Sequence, residues 1–144
     1  RRRPDQAAVF EENLQQLQEE LLQLDSRMQT LAAAQPGLPL LASHPVYQYL
    51  ARRYGLQLRS VTWEPAVQPD DSSWRELQSM LERQASHWML WEGNPHMETR
   101  AALELLGVQT VLFRPVMNRP AKGDFMTVMQ ANIDALAVAF DAPD

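Results

Sequence analysis

Residues 88–93 read Trp88-Met89-Leu90-Trp91-Glu92-Gly93, an apolar run that ends on a carboxylate and a glycine. A short apolar run without polar alternation is typical of a strand buried on both faces of a parallel sheet, and we predict a strand over Trp88–Glu92. Runs of the same character occur at Leu38–Ser43, Leu56–Glu64 and Val108–Arg114. Helical patterns follow the four runs at His44–Tyr54, Asp70–Ser86, Pro95–Leu106 and Asp124–Phe140. This alternation predicts an α/β fold with a four-stranded parallel sheet flanked by helices.

A long helix is predicted before the first strand. Its apolar residues are spaced alternately four and three apart: Phe10, Leu14, Leu17, Leu21, Leu24, Met28 and Leu31. From Pro4 to Ala34 it would extend roughly 45 Å, at about 1.5 Å per residue. A compact domain of this size has a radius of gyration of only about 14–15 Å. We therefore expect either a coiled coil or a spine shared with a neighbouring module.

The composition narrows the class of function. A chain of 144 residues that is 45% hydrophobic fits one globular domain. The net charge of −5 argues against a nucleic-acid-binding surface. No apolar run approaches the ~18 residues that a membrane span requires. The chain has no cysteine, which excludes disulfides and thiolate metal sites. Arg1–Arg3 lead directly into the helical pattern, so no signal peptide is expected.

Ligands of open parallel sheets bind beyond the carboxyl ends of the strands. The four predicted strands end at or next to His44, Glu64, Glu92 and Arg114. We expect these side chains along one edge, with Glu64, Trp91 and Arg114 lining a cleft. For Trp91 the alternative is that its ring fills the core.

His44 is the first candidate metal ligand. Pro45 suits a first helical position, which would place His44 near a helix N-cap. The positive end of the helix dipole would keep the imidazole neutral and able to bind a metal; the alternative is a capping residue. Zinc needs about four ligands, so one histidine is not a site. Glu92 is the second candidate, although an ion pair with Arg114 would close the mouth of the sheet instead.

The sequence contains no signature of catalysis. A nucleophile elbow, a phosphate-binding loop and a dinucleotide-binding fingerprint are all missing from it. We therefore assign no catalytic residue and do not expect an enzyme.

Several segments become informative when they are taken in order. They are Pro4-Asp5 with Phe10-Glu11-Glu12-Asn13, Ser43-His44-Pro45-Val46-Tyr47-Gln48-Tyr49-Leu50, Leu90-Trp91-Glu92-Gly93 and Gly123-Asp124-Phe125. In this order and spacing the chain resembles the C-terminal lobe of the zinc- and manganese-binding solute-binding proteins of bacterial ABC importers. The resemblance covers nearly the whole chain.

The resemblance implies an organisation and a function. Residues 1–35 would form the backbone helix between two lobes, and residues 36–144 the C-terminal α/β lobe. An N-terminal lobe absent from this chain would supply two further ligands, usually histidines, to a metal held between the lobes. A histidine at position 44 favours zinc as the transported ligand, where manganese binders tend to have glutamate. The implied partner is an ABC permease, and the implied location is the periplasm or another extracytoplasmic compartment.

One position departs from the family pattern. The family usually places a carboxylate at the last strand tip, often as Asp-Pro, where this chain has Phe113-Arg114-Pro115. A guanidinium cannot bind zinc as a ligand. Either His44 acts with the absent lobe and water or another carboxylate such as Glu92, or the specificity has changed. In the second case the metal site would be degenerate, and the protein would bind an anionic solute, a chelated solute or a protein partner. This fragment would then hold no metal ion of its own.

Overall fold

The structure is a computed structural model that describes residues 6–116, 118–120 and 122–141. In chain order the elements are α1 (Ala7–Ala34), β1 (Pro39–Ala42), α2 (Gln48–Tyr54), β2 (Gln57–Ser60), α3 (Asp71–Arg83), β3 (Trp88–Trp91), α4 (Met97–Leu105), β4 (Gln109–Leu112) and α5 (Phe125–Asp141). The predicted α/β fold with a long first helix is confirmed, although the strands are shorter than predicted. Pro4, the predicted helix start, lies outside the described residues.

The sheet determines where the strand ends meet. Its four strands are parallel and lie in the order β2-β1-β3-β4. The chain leaves β1 toward β2 on one side, then crosses back to β3 and β4 on the other side. The crevice at such a reversal, outside the carboxyl ends, is where open α/β sheets bind ligands. The reversal in this sheet lies between β1 and β3.

Helices cover both faces of the sheet, as the unalternating strands predict. Leu40, Ala42 and Leu90 point to a core shared with α1, α2 and α5. Leu41 and Met89 point to the opposite core, which is shared with α3 and α4. Successive strand residues thus pack against helices on opposite faces of the sheet, because side chains alternate between its two faces.

The apolar residues spaced four and three apart along α1, from Phe10 to Leu31, form an apolar seam. This seam divides into two halves. Leu24 and Met28 are 8% and 3% exposed and belong to the core beside α5. By contrast, Phe10, Leu14, Leu17 and Leu21 are 41–55% exposed. The helix has 28 residues, so its length is about 42 Å. Only its C-terminal half is packed on this domain.

Polar contacts fix the packed half of α1. Arg27 Nη2 lies 2.6 Å from Asp134 Oδ1 of α5. Asp25 accepts hydrogen bonds from Arg53, at 2.6 and 3.0 Å, and from the Tyr54 hydroxyl at 2.9 Å. The Arg53 hydrogen bond and then that of Tyr54 lower the pKa of the Asp25 carboxyl. The orientation of α1 is therefore fixed by contacts with both α2 and α5.

Helix α2 begins later than the sequence predicts. Its N-cap is Tyr47, not His44, because the Val46 N–H donates to the His44 carbonyl at 2.9 Å and forms a tight turn. The helix ends at Gly55, whose φ of 67° is the left-handed conformation that glycine adopts without strain. Among residues 6–116, 118–120 and 122–141, no helix is long and apolar enough to cross a membrane.

We expect the two halves of α1 to differ in their tolerance of truncation. Leu24→Ala should lower the free energy of unfolding by about 2–5 kcal/mol, because it leaves a cavity in a packed core. Leu14→Ala should change it by less than about 0.5 kcal/mol, because Leu14 is half exposed. Urea unfolding of this chain measures both values. Equal losses in the two variants would contradict the division of the seam.

Candidate functional site

Four polar residues lie along the carboxyl edge of the sheet. Their order across the edge follows the strand order: Glu64, His44, Glu92 and Arg114. Backbone pairing continues beyond the strands and keeps these tips side by side. The N–H groups of Trp63, Ser43 and Phe113 donate to the carbonyls of Ser43, Leu90 and Trp91, respectively, at 2.6–2.9 Å. His44 and Glu92 therefore flank the reversal between β1 and β3.

His44 has one enclosed ring nitrogen. Its Nδ1 is buried without a hydrogen-bond partner and lies 3.9 Å from Glu64 Oε1. That separation is too long for a hydrogen bond but within the range of an ion pair. The side chain as a whole is 30% exposed. The part of the ring that includes Nε2 is thus the part that can face a ligand.

Glu92 and Arg114 share a cavity but do not form the predicted ion pair. No nitrogen of Arg114 lies within 4.0 Å of a Glu92 oxygen. Both residues line an open cavity of about 310 Å³, together with Pro65 and Gly93. Because Arg114 is exposed, its charge stays available to a ligand.

Two buried polar side chains hold the tip of β4. The Tyr47 hydroxyl donates to the Phe113 carbonyl at 2.7 Å. Asn132 donates to the Arg114 carbonyl at 2.7 Å and accepts from the Arg114 N–H at 2.9 Å. Burial, and then the charge of Glu92, raise the pKa of Tyr47 well above its usual value, so Tyr47 remains a donor. The backbone of Arg114 is therefore fixed on both sides.

Our sequence reasoning missed this support. Asn132 is 2% exposed and lies in the otherwise apolar face of α5. A polar residue on such a face is the signal that could have identified it, because buried amides require partners. Tyr47 had no comparable signal, since the helix was expected to begin before it.

The prediction that Trp91 lines the cleft is wrong. Trp91 is 0% exposed and packs in the core beneath α3 and α4. Its ring centroid lies 6.3 Å from that of Trp63, which in turn lies 4.8 Å from that of Trp74. The side chains alternate along β3, so the residue before the exposed tip faces the core. Glu64 is exposed at the edge and lines a cavity of about 240 Å³ that does not include Arg114.

The edge does not contain a complete metal site. Within the described part of the chain, no group of three or more His, Asp or Glu side chains is placed to hold a metal ion. His44 has a carboxylate near it, and Glu92 lies on the neighbouring strand tip. His44 and Glu92 thus lie on adjacent strand tips at the reversal of the sheet, without a third potential ligand grouped with both of them among the described residues.

Comparisons with known proteins identify the fold and the family of the chain. The zinc-bound ZnuA-like domain of AdcA from Streptococcus pneumoniae has a TM-score of 0.82 and 23% identity, over 96% of this chain and 55% of that one. The metal-dependent lipoprotein YcdH of Bacillus subtilis has a TM-score of 0.83 and 20% identity, over 94% of this chain and 53% of that one. The laminin-binding protein Lbp of Streptococcus pyogenes has a TM-score of 0.73 and 18% identity, over 96% of this chain and 54% of that one. At these identities the likeness shows the fold. A search of curated proteins finds no significant match.

The fold is that of a ZnuA-like domain. The family described as zinc-uptake complex component A, periplasmic (ZnuA), matches residues 1–139, and the chain belongs to this family. The chain spans about half the length of each of these three structures.

We expect Asn132→Ala to destabilise the domain through the β4 tip. The variant leaves the Arg114 N–H and carbonyl without their partner, which should cost about 2–4 kcal/mol of unfolding free energy. Urea unfolding measures this loss, with Asn94→Ala at an exposed position as the matched control. A loss as small as that of the control would show that the two hydrogen bonds do not support the tip.

Proposed function

We propose that this chain is the C-terminal lobe of an extracytoplasmic protein that captures a divalent metal ion, zinc, for an ABC importer. The observation that carries the proposal is His44, which lies at the reversal of the sheet with a ring that is partly exposed. The family match over residues 1–139 supports zinc uptake as the context. The function is binding and delivery, with no catalytic step.

In this proposal His44 binds zinc through Nε2. Glu64 faces the other nitrogen at 3.9 Å, and a carboxylate in that place commonly orients a metal-bound histidine and increases its basicity. Glu92 is the second candidate ligand in this chain, because it lies at the adjacent tip without an arginine partner. Imidazole with a carboxylate is a donor set that zinc accepts.

The remaining ligands would come from an N-terminal lobe. The exposed seam of α1, from Phe10 to Leu21, supports such a neighbour, because four large apolar residues there lack cover in this domain. We propose that residues 1–35 act as the backbone helix between two lobes and that residues 36–144 form the second lobe. The metal would then lie between the lobes and be closed off from water.

The direct test is a competitive zinc titration of the complete protein, including its upstream lobe, against a chromogenic chelator. We expect one-to-one binding with a dissociation constant below about a micromolar. His44→Ala should weaken it at least tenfold, since a lost ligand costs more than about 1.4 kcal/mol. His87→Ala, an exposed histidine at the other end of β3, is the matched control. Unchanged affinity in His44→Ala would remove His44 from the site.

Arg114 supports a second candidate function. An exposed guanidinium without a carboxylate partner occupies the tip where the family usually has a carboxylate. A relative with a changed site would bind an anionic or chelated solute, or a protein partner. One similar structure is described as a laminin-binding protein.

Arg114→Asp distinguishes the two functions. If the edge is a metal site weakened by a positive charge, the variant should bind zinc at least tenfold more tightly, because a carboxylate replaces a repelling charge. If the edge binds an anion, the variant should lose that ligand. Arg52→Asp, in the last turn of α2 away from this edge, is the control for a change of net charge. Zinc affinity unchanged by Arg114→Asp would show that the tip does not contact the metal.

A further inference from the structure

A second cavity adjoins the edge, on the side away from His44. It has a volume of about 490 Å³ and lies between the tip of β4 and the first turns of α5, where Val128 forms part of its wall. Its charged lining residues are Arg114, Arg119 and Lys122, with Asn118 between them. The described lining includes no carboxylate. This volume is within the usual range for a small-molecule site.

The positive charge in this cavity is not neutralised by the protein. In the described ranges, none of its three cations has a carboxylate within 4.0 Å. Asp124 is near Lys122 in sequence, but it caps α5 and accepts from the Thr127 N–H and hydroxyl, both at 2.8 Å. Those hydrogen bonds lower the pKa of Asp124. Three cationic residues therefore line one cavity in a chain whose net charge is −5.

The cavity wall also contains a strained residue. Val116 has a φ of 52°, which is rare for a β-branched side chain. Conformations of this kind persist where the surrounding structure requires them, and they are frequent at ligand sites. Val116, Arg114 and Asn118 line both this cavity and the one that contains Glu92, so the two cavities are continuous.

We propose that this cavity binds a compact oxyanion with two or more negative charges, of the phosphate or polycarboxylate class. The planar guanidinium groups of Arg114 and Arg119 match the oxygen pairs of such groups, and Lys122 adds a point charge. The Asn118 amide can donate a further hydrogen bond. This proposal rests on the second candidate function and deepens it, because it assigns the anion to a cavity and to a chemical class; binding there needs no metal.

The test is calorimetric titration of the complete, metal-free protein at low ionic strength, with potassium phosphate in one arm and citrate in the other. We expect saturable one-to-one binding with a dissociation constant of about a millimolar or tighter in at least one arm, weakened by added salt. Phosphate binding alone identifies a phosphoryl ligand, and citrate binding alone identifies a carboxylate ligand. Binding in neither arm overturns the proposal.

Variants locate the binding within the protein. Arg119→Gln and Lys122→Gln should each weaken anion binding about tenfold, because each removes one charged hydrogen bond. Arg83→Gln, in the last turn of α3 at the opposite end of the sheet, should bind as the unchanged protein does. Anion affinity unaffected by both cavity variants, with native circular dichroism, would overturn the assignment. Zinc titration of the unchanged protein in buffer without phosphate or citrate tests the metal proposal separately, so failure here is distinct from failure of the metal proposal.

Discussion

The pairing of β1 with both β2 and β3 is the constraint on which the site depends. Each strand has only four residues, so the hydrogen bonds that extend beyond the strand ends are a large part of what aligns them. The same pairing places the chain reversal between β1 and β3. His44 comes two residues after β1 and Glu92 directly after β3, so the pairing of these strands places the two residues on adjacent tips although they are far apart in sequence.

Support for this edge comes from the layer of α1, α2 and α5. Tyr47, at the start of α2, and Asn132, from the middle of α5, both hydrogen-bond the backbone at the end of β4. Buried polar groups of this kind stabilise one arrangement, since leaving them unpaired is costly. The packed half of α1 rests on the same two helices. The position of the long helix is consequently coupled to the strand tips through a shared core.

Much of the fold could be predicted from the sequence, and less of the site. Unalternating apolar runs identified the strands, because burial on both faces removes the need for polar positions. The prediction that the helix begins at His44 was wrong, because the turn at His44–Val46 depends on a backbone contact that no residue type encodes. Trp91 was placed in the cleft because position along a strand does not reveal the face. The expected ion pair between Glu92 and Arg114 is not formed, because the ends of two adjacent strands do not fix the distance between their side chains.

The edge changes sign along its length. Carboxylates follow β2 and β3, whereas the cations Arg114, Arg119 and Lys122 lie beyond β4. If a divalent cation binds at this edge as proposed, it is attracted by the carboxylates at one end and repelled by the cations at the other. A metal ion accompanied by an anion would satisfy both ends, because the anion neutralises the arginine that a carboxylate would otherwise replace. Arg114 is therefore compatible with the proposed metal site if the adjacent cavity takes up negative charge, as proposed for the anion.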